Sequence, residues 1–479
     1  MNSSLRGAWP FSGRGQIFGV DAAAHAVRVV NARSEEMMST NAPRKRRREN
    51  RVHGRPGPTV SGVVQTATAR PGASVVGLES SSTASRGRSF WTIAATLTLF
   101  GASNSAPSPL YAVYAQRFGF SATTLTAIFA VAALFLLLTL IPAGTLSDQL
   151  GRRPVILGAI AVQAAAMVLF LLADGTALLF AARIAAGVGT GAALGVLSAA
   201  LVDFQPVGTA RGALVAGVAV PIGLALGALG SGVLVQLAAA PLRLVYWVQL
   251  AALAVAALVI TLFVPETITA RARHVRLGIR VRVPPEARQP FAAFTPGLIA
   301  IWALNGLLLS LGPSLALVVL RSHSHVVGGL VPATLFFFTA FGSVATRTWD
   351  GRRAVVWGTL LGAVGVLVTL AGIRASSSAL LFGGSAIAGL GFGPAFTGTL
   401  RTLAPLAALS ERGGLFAAVY VVCYLAFALP AVAAGLATTH WGLRDTASVY
   451  AVILVLLALA AAALTARTPL ASRANSRAR

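Results

Sequence analysis

Repeated charge-free apolar runs of about twenty residues constrain the fold of this chain more than any other feature. The segments TLTAIFAVAALFLLLTLIPAG and SVYAVILVLLALAAAALTA contain no charged residue. Each is long enough to cross a hydrocarbon core of roughly 30 Å as an α-helix. Transmembrane strands would instead appear as alternating segments of roughly ten residues, and these runs do not alternate. The sequence therefore predicts an all-α polytopic membrane protein.

Twelve such runs follow one another after the first ninety or so residues. They predict transmembrane helices at 90–114, 122–146, 154–173, 176–202, 212–237, 243–264, 295–319, 328–346, 354–373, 377–400, 413–438 and 446–466. The implied domains are a disordered basic tail (1–88), a six-helix bundle (89–268), a basic loop (269–293), a second six-helix bundle (294–466) and a short tail (467–479).

The arginines predict the orientation of these helices. Only 11% of the chain is charged, yet its net charge is +25, and fourteen of the 38 basic residues precede Trp91. If the N-terminus is cytoplasmic, the inner loops carry fourteen arginines and the outer loops five. This bias predicts a multi-pass protein of the cytoplasmic membrane with both termini in the cytoplasm. Base-reading motifs are absent, so the expected partners are the lipid bilayer and a small molecule, without nucleic acid, and the chain is expected to be a monomer.

The two predicted bundles repeat one another. Gly151-Arg152-Arg153 returns as Gly351-Arg352-Arg353, 200 residues later. The sequence RGAL at residue 211 returns as RGGL at residue 412. Two related bundles are typical of secondary transporters that bind their substrate near the membrane midplane.

The stretch GTLSDQLGRR between the second and third predicted helices resembles the loop signature of the major facilitator superfamily, G-x-L-x-D-x-x-G-R-R. Gln149 replaces the usual basic residue, and the second copy has Thr348 opposite Asp148. The resemblance implies a conformational latch between the bundles. Its candidate residues are Gly144, Asp148, Gly151, Arg152, Arg153, Arg352 and Arg353. The alternative is that the arginines only anchor the loop in the cytoplasm and that Asp148 is their local partner.

The stretch RIAAGVGTG resembles the superfamily's fourth-helix signature. Arg183 is expected about 10 Å inside this helix, where an ionisable residue marks a functional pathway unless it reaches back to the surface. The resemblance implies a role in proton transfer, for which Asp203 is a second candidate. Small residues that allow close helix packing are expected at Gly187, Gly189, Gly191, Gly223 and Gly227. The last two belong to a partial match to a drug/proton antiporter signature, which Ala228 breaks because a proline belongs there.

Polar and aromatic residues within the helices are the candidates for the substrate pathway. They are Asn104, Ser108 and Tyr111 in the first helix, Trp302 and Asn305 in the seventh, and Tyr420 and Tyr424 in the eleventh. Each of them could instead serve helix packing. As a group they suit a partly apolar ligand held by a few hydrogen bonds.

These features favour a secondary transporter, with proton-coupled efflux of a neutral or amphipathic compound as the leading hypothesis. A sugar or metabolite facilitator or importer is the alternative within transport. A membrane sensor or scaffold with the same fold is the alternative of another class. An enzyme is not expected, because the helices hold no cluster of acidic residues or histidines, and the single cysteine, Cys423, gives neither disulfide nor metal site. No cofactor is expected, and the proton gradient is the expected energy source.

Overall fold

The structure, a computed structural model, describes residues 75–206, 209, 211–237, 241–266, 281–318, 321, 324–408 and 411–468. Within them the chain is helical and contains no strand, which confirms the all-α prediction. The helices are α1 Val75–Ser105, α2 Tyr111–Phe118, α3 Ala122–Leu150, α4 Arg152–Leu171, α5 Thr176–Asp203, α6 Arg211–Leu237, α7 Pro241–Phe263, α8 Pro285–Val318, α9 His325–Ala345, α10 Gly351–Ala375, α11 Ser378–Leu403 and α12 Arg412–Arg467.

These helices account for all twelve predicted membrane spans. In the described part of the chain, ten helices are long and apolar enough to cross a membrane. One of them, α12, has 56 residues, and Gly442 inside it adopts a non-helical φ of 76°. The kink at Gly442 divides α12 into segments of 30 and 25 residues, about 45 and 38 Å long at 1.5 Å per residue, and each is long enough to cross a core of roughly 30 Å. The pair α1 and α2 corresponds to the first predicted span.

Prolines divide the first span. Pro107 and Pro109 have no amide hydrogen to donate, and the chain forms turns between Ser105 and Tyr111 in place of a continuous helix. Ser108 N donates to Ser105 O rather than to the carbonyl of Asn104. The Asn104 carbonyl is therefore free to accept another hydrogen bond.

Two helices begin earlier than expected. Helix α1 starts at Val75 and α8 at Pro285, whereas the sequence placed these starts at residues 90 and 295. Pro285 suits the first turn of a helix, where its missing N–H costs nothing. Residues 1–74 of the predicted tail, residues 267–280 of the predicted loop and residues 469–479 lie outside the described residues.

Repeated glycines pack the helices of the two halves in the same way. We call α1–α7 the first half and α8–α12 the second half. Gly187 of α5 lies against Ala132 O of α3, and Gly389 of α11 lies against Leu335 O of α9. A Cβ atom at either glycine would overlap these carbonyls, so only glycine permits the approach.

The remaining predicted packing glycines also lie at helix contacts. Gly189 meets Gln163 of α4, and Gly191 meets Leu136 of α3. In α6, Gly223 and Gly227 lie against the backbone of α1 at Thr98 and Ala102.

The two ends of the helix bundle differ. We call the end at which α4, α6, α10 and α12 begin the arginine-rich end, and the other the opposite end. At the opposite end the halves meet closely, since Gly232 lies against His325 O, Gly329 against Ala228 O, and Gly435 against Thr126 Oγ1. The contact nearer the arginine-rich end, between Gly217 and Thr397, is looser.

Hydrogen bonds add to the closure of the opposite end. Thr123 Oγ1 donates to Gly435 O at 3.2 Å, and His325 N donates to Gln236 Oε1 at 3.0 Å. Both bonds join the first half to the second.

Candidate functional site

Arg183 lies in a buried cage of aromatic rings. It is the eighth residue of α5, about 10 Å along the helix, and only 1% of the residue is exposed. The centre of its guanidinium lies 4.4 Å from the ring centroid of Phe129, 5.2 Å from that of Tyr111 and 5.8 Å from that of Phe170. The side chain therefore does not reach back to the membrane surface, and the rings stabilise its charge by cation–π contact.

The break in the first span supplies the hydrogen-bond acceptors for Arg183. Its Nη1 donates to the freed backbone carbonyl of Asn104 at 2.9 Å and to Asn104 Oδ1 at 3.1 Å. Its Nε donates to Tyr111 Oη at 2.8 Å. Arg183 of α5 thus joins α1 and α2, the helices on either side of the proline break.

A further layer of contacts supports the cage from α7. Tyr246 stacks on Phe170 with ring centroids 5.0 Å apart, and its hydroxyl bonds that of Tyr114 at 3.1 Å. Sequence reasoning missed Phe129, Phe170 and Tyr246, because an aromatic residue in an apolar run looks the same whether it faces lipid or a neighbouring helix.

The three polar candidates of the first span do not share one open face. Asn104 is half-buried, whereas Ser108 and Tyr111 are fully buried. Ser108 Oγ donates to Leu309 O at 2.5 Å and so joins α8 to the turn after α1. The turn between α1 and α2 interrupts the helical register that would place residues four and seven positions apart on one face.

Aromatic side chains form a cluster in the second half. Trp302 packs edge-on to Tyr424 at 4.8 Å and to Phe396 at 5.9 Å, and Tyr420 stacks near Tyr424 at 6.3 Å. Trp302 and Tyr420 are half-buried. We call these four residues the aromatic cluster; Phe396 was not among the sequence candidates.

Asn305 lies one turn beyond Trp302 in α8 and occupies the position that Asn104 occupies in the first half, 201 residues earlier. Both asparagines are half-buried. Asn104 precedes Ser108 by four residues, and Asn305 precedes Leu309 by four residues. Ser108 and Leu309 are hydrogen-bonded to each other. The two amides therefore lie on the same side of the contact that joins the halves at this point.

The signature loop holds a cluster of charges around Arg152. Arg152 Nη1 lies 2.8 Å from Asp148 Oδ1, and Nε donates to Asp203 Oδ2 at 3.2 Å. The Arg152 side chain is 15% exposed, whereas that of Asp148 is 64% exposed. All three residues belong to the first half, so in this conformation Asp148 has a local partner.

Gly151 allows a fourth charge to approach. Its φ of 103° is a conformation that favours glycine, and a Cβ atom there would overlap the carboxylate of Glu266. A carboxylate at the N-terminus of α4 is favoured by the helix dipole. Nothing in the residue types predicted that Glu266, which follows α7, lies beside the loop.

The second copy of the signature uses its arginines differently. Arg352 Nε donates to Thr465 O at 3.1 Å, and Arg352 also bonds Ala466 O at the end of α12. Arg353 lies over the ring of Trp349 at 5.0 Å. Asp350 accepts from the backbone N–H groups of both arginines and so caps α10. Among the described residues neither arginine contacts the first half, and Gly144 has open space around it.

The tandem helical halves, with polar and aromatic residues between membrane-spanning helices, define a multi-pass membrane transporter. The chain belongs to the Major Facilitator Superfamily, whose sequence model matches residues 93–349. No curated protein matches the sequence.

Solved structures with similar folds are transporters of the same superfamily. One is a bacterial homologue of the human lysosomal transporter Spinster in an inward-facing, unoccupied conformation, with a TM-score of 0.67 and 15% identity over 80% of this chain and 97% of that chain. Another is a mutant of the nucleoside transporter NupG, with a TM-score of 0.62 and 12% identity over 79% of this chain and 99% of that chain. At these identities the likeness concerns the fold alone.

Proposed function

We propose that this transporter moves its substrate by alternating access, with the two halves rocking about the contact between the first span and α8. The observation that carries this proposal is the unequal packing of the two ends. The halves are sealed at the opposite end by glycine contacts such as Gly232 with His325 and Gly329 with Ala228. A carrier with a central site has to open one end while it closes the other.

The proposed substrate is a small molecule, neutral or amphipathic, that is exported in exchange for protons. The aromatic cluster offers apolar surface, and Asn104 and Asn305 offer a few hydrogen bonds, which suits such a ligand. We place the protein in the cytoplasmic membrane with its arginine-rich end and both termini inside, because the loop arginines are concentrated there. It acts in this proposal as a monomer without a cofactor or a nucleic-acid partner, and as a carrier rather than an enzyme.

Proton coupling in this proposal uses the carboxylates around Arg152. A guanidinium stays protonated in proteins, so a carboxylate has to carry the proton. Asp148 and Asp203 share the guanidinium of Arg152, and protonation of either would loosen the cluster. The Asp148 side chain is 64% exposed, so its carboxylate is accessible to a donor from the second half when the arginine-rich end closes, as a latch requires.

Counterflow of labelled compounds in proteoliposomes tests the proposed function. Exchange of a small amphipathic compound that is accelerated by an imposed pH gradient is the expected result. Exchange at a rate that does not depend on the pH gradient would favour a facilitator or importer. No exchange of any compound in a broad panel would favour a sensor or scaffold.

Replacing Asp148 with alanine should slow transport about 10- to 100-fold, because the state closed at the arginine-rich end loses one charged hydrogen bond of about 1.5–3 kcal/mol. Ligand affinity and expression should stay near wild type, since Asp148 lies far from the central residues along α3. Initial rates and binding isotherms measured on the same preparation check this. Asp174→Ala, in the exposed loop at the opposite end, is the control; wild-type turnover in Asp148→Ala would contradict the latch.

A further inference from the structure

Arg183 is a buried cation that lacks a counter-charge among the described residues. Its hydrogen-bond acceptors are a backbone carbonyl, an amide oxygen and a phenol, all of them neutral. Its remaining nitrogen, Nη2, is buried and has no hydrogen-bond partner. A buried charge costs several kcal/mol unless it is paired and hydrogen-bonded, so the site is incomplete as it stands.

The described carboxylates do not complete it: six of them have partners or contacts elsewhere, and Asp174 and Glu286 are exposed. Asp148 and Asp203 pair with Arg152, Asp445 pairs with Arg374, and Glu411 lies near Arg282. Asp350 caps α10, and Glu266 lies against Gly151. The described part of the chain therefore leaves the charge of Arg183 open to a negatively charged ligand.

The N–H groups of Arg183 determine which chemical group the ligand has to present. A carboxylate oxygen can accept from Nη2 directly. A second oxygen can reach Nη1 if the half-buried Asn104 side chain turns away, since the Asn104 carbonyl still holds one Nη1 hydrogen. The result is the two-oxygen contact that guanidinium groups favour.

The second half offers a place for the rest of the molecule. Asn305 and Trp302 lie on one face of α8, and Trp302 belongs to the aromatic cluster. The Ser108–Leu309 hydrogen bond holds α8 against the first span beside Asn104. A ligand with its anionic end at Arg183 and its apolar body on the aromatic cluster would then contact both halves.

We propose that Arg183 anchors the anionic group of the transported molecule and that the substrates are amphipathic organic anions, with an aromatic or aliphatic body on the aromatic cluster. The inference rests on the proposed transport function and narrows its substrate class from neutral or amphipathic compounds to those that carry a negative end. It gives the buried guanidinium a role in substrate recognition in addition to holding the proline break.

Cinnamate and cinnamamide, which share an apolar body and differ in charge, test the proposal on the full chain in lipid nanodiscs. We expect the wild type to bind cinnamate about 10- to 100-fold more tightly than cinnamamide, the range of a hydrogen bond to a charged group. Arg183→Gln should bind the two compounds equally. Arg243→Gln, which removes an exposed arginine at the start of α7, should keep the wild-type preference.

A stability measurement separates recognition from a structural role. Cinnamate should raise the unfolding temperature of the wild type and leave that of Arg183→Gln unchanged, a difference that a purely structural role of Arg183 would not produce. Arg183→Lys, which keeps the charge, should retain a weaker preference for cinnamate.

Absence of cinnamate binding by the wild type, or a preference that survives in Arg183→Gln, would overturn the anion assignment. Unimpaired counterflow of cinnamate in Arg183→Gln would overturn it too, while leaving the proposed transport function intact. Failure of every compound to exchange in the wild type would instead count against transport itself.

Discussion

Replacing Gly232 with valine should abolish most transport, whereas replacing Gly230 with valine should leave the rate near that of the wild type. A Cβ atom at Gly232 would lie 2.7 Å from His325 O, so the valine would separate α6 from α9 at the opposite end. A Cβ atom at Gly230, two residues earlier in α6, meets nothing within 4 Å. Overpacking costs about 1–3 kcal/mol, which shifts the population of the closed state by roughly 5- to 150-fold. Initial counterflow rates check this.

Comparing the two variants controls for the general effects of replacing a glycine within a helix. Both variants place the same β-branched residue in the same helix, so helix propensity and expression should change equally. Equal rates in the two variants would mean that closing the opposite end is not part of the transport cycle.

Replacing Arg152 with alanine should destabilise the protein by about 1–3 kcal/mol, whereas Arg352→Ala should cost only about 0.3–1 kcal/mol. Arg152 is largely buried and holds two carboxylates that would otherwise repel each other, with a third at Gly151. Arg352, its counterpart in the second half, only bonds carbonyl oxygens at the end of α12. Unfolding of the two variants in detergent, measured in parallel, gives the difference.

A double-mutant cycle locates the source of that loss. Coupling energies of Arg152 with Asp148 and with Asp203 should both be favourable and should shrink as salt is added. Equal destabilisation by Arg152→Ala and Arg352→Ala would show that the carboxylates add nothing at this site.

The sequence predicted the membrane spans because a charge-free run of twenty residues has few alternatives to a transmembrane helix. It also located Arg183 at the correct depth, since the start of α5 at Thr176 follows a polar break. It could not show what surrounds that arginine. The cage depends on which faces of α3, α4 and the first span turn inward, and the charge-free runs carry no pattern that distinguishes such a face from one that meets lipid.

The sequence also could not predict what the proline break does to the hydrogen bonds of the first span. Pro107 and Pro109 are visible in the sequence, but the acceptor that the break frees is a backbone carbonyl, at Asn104, which leaves no trace in the residue types. The two signature loops were predicted to act together because their sequences match. They differ in structure because only the first has acidic neighbours, Asp148 and Asp203, on the side that faces its arginine. The role of Asp148 as a latch stays a prediction.

Rocking of the two halves can be followed directly with spin labels. Cys423 is the only cysteine and is buried, so Cys423→Ala provides a clean background. One label pair replaces the exposed Asp174 and Ala375 at the opposite end, and another replaces the exposed Ala213 and Thr348 at the arginine-rich end. Each pair spans the two halves.

Electron–electron distances in nanodiscs, with and without transported compound, test alternating access most directly. The opposite-end distance should lengthen as the arginine-rich-end distance shortens, and Gly232→Val should shift both in that direction without ligand. Two distances that stay fixed under every condition, or that lengthen together, would contradict the account.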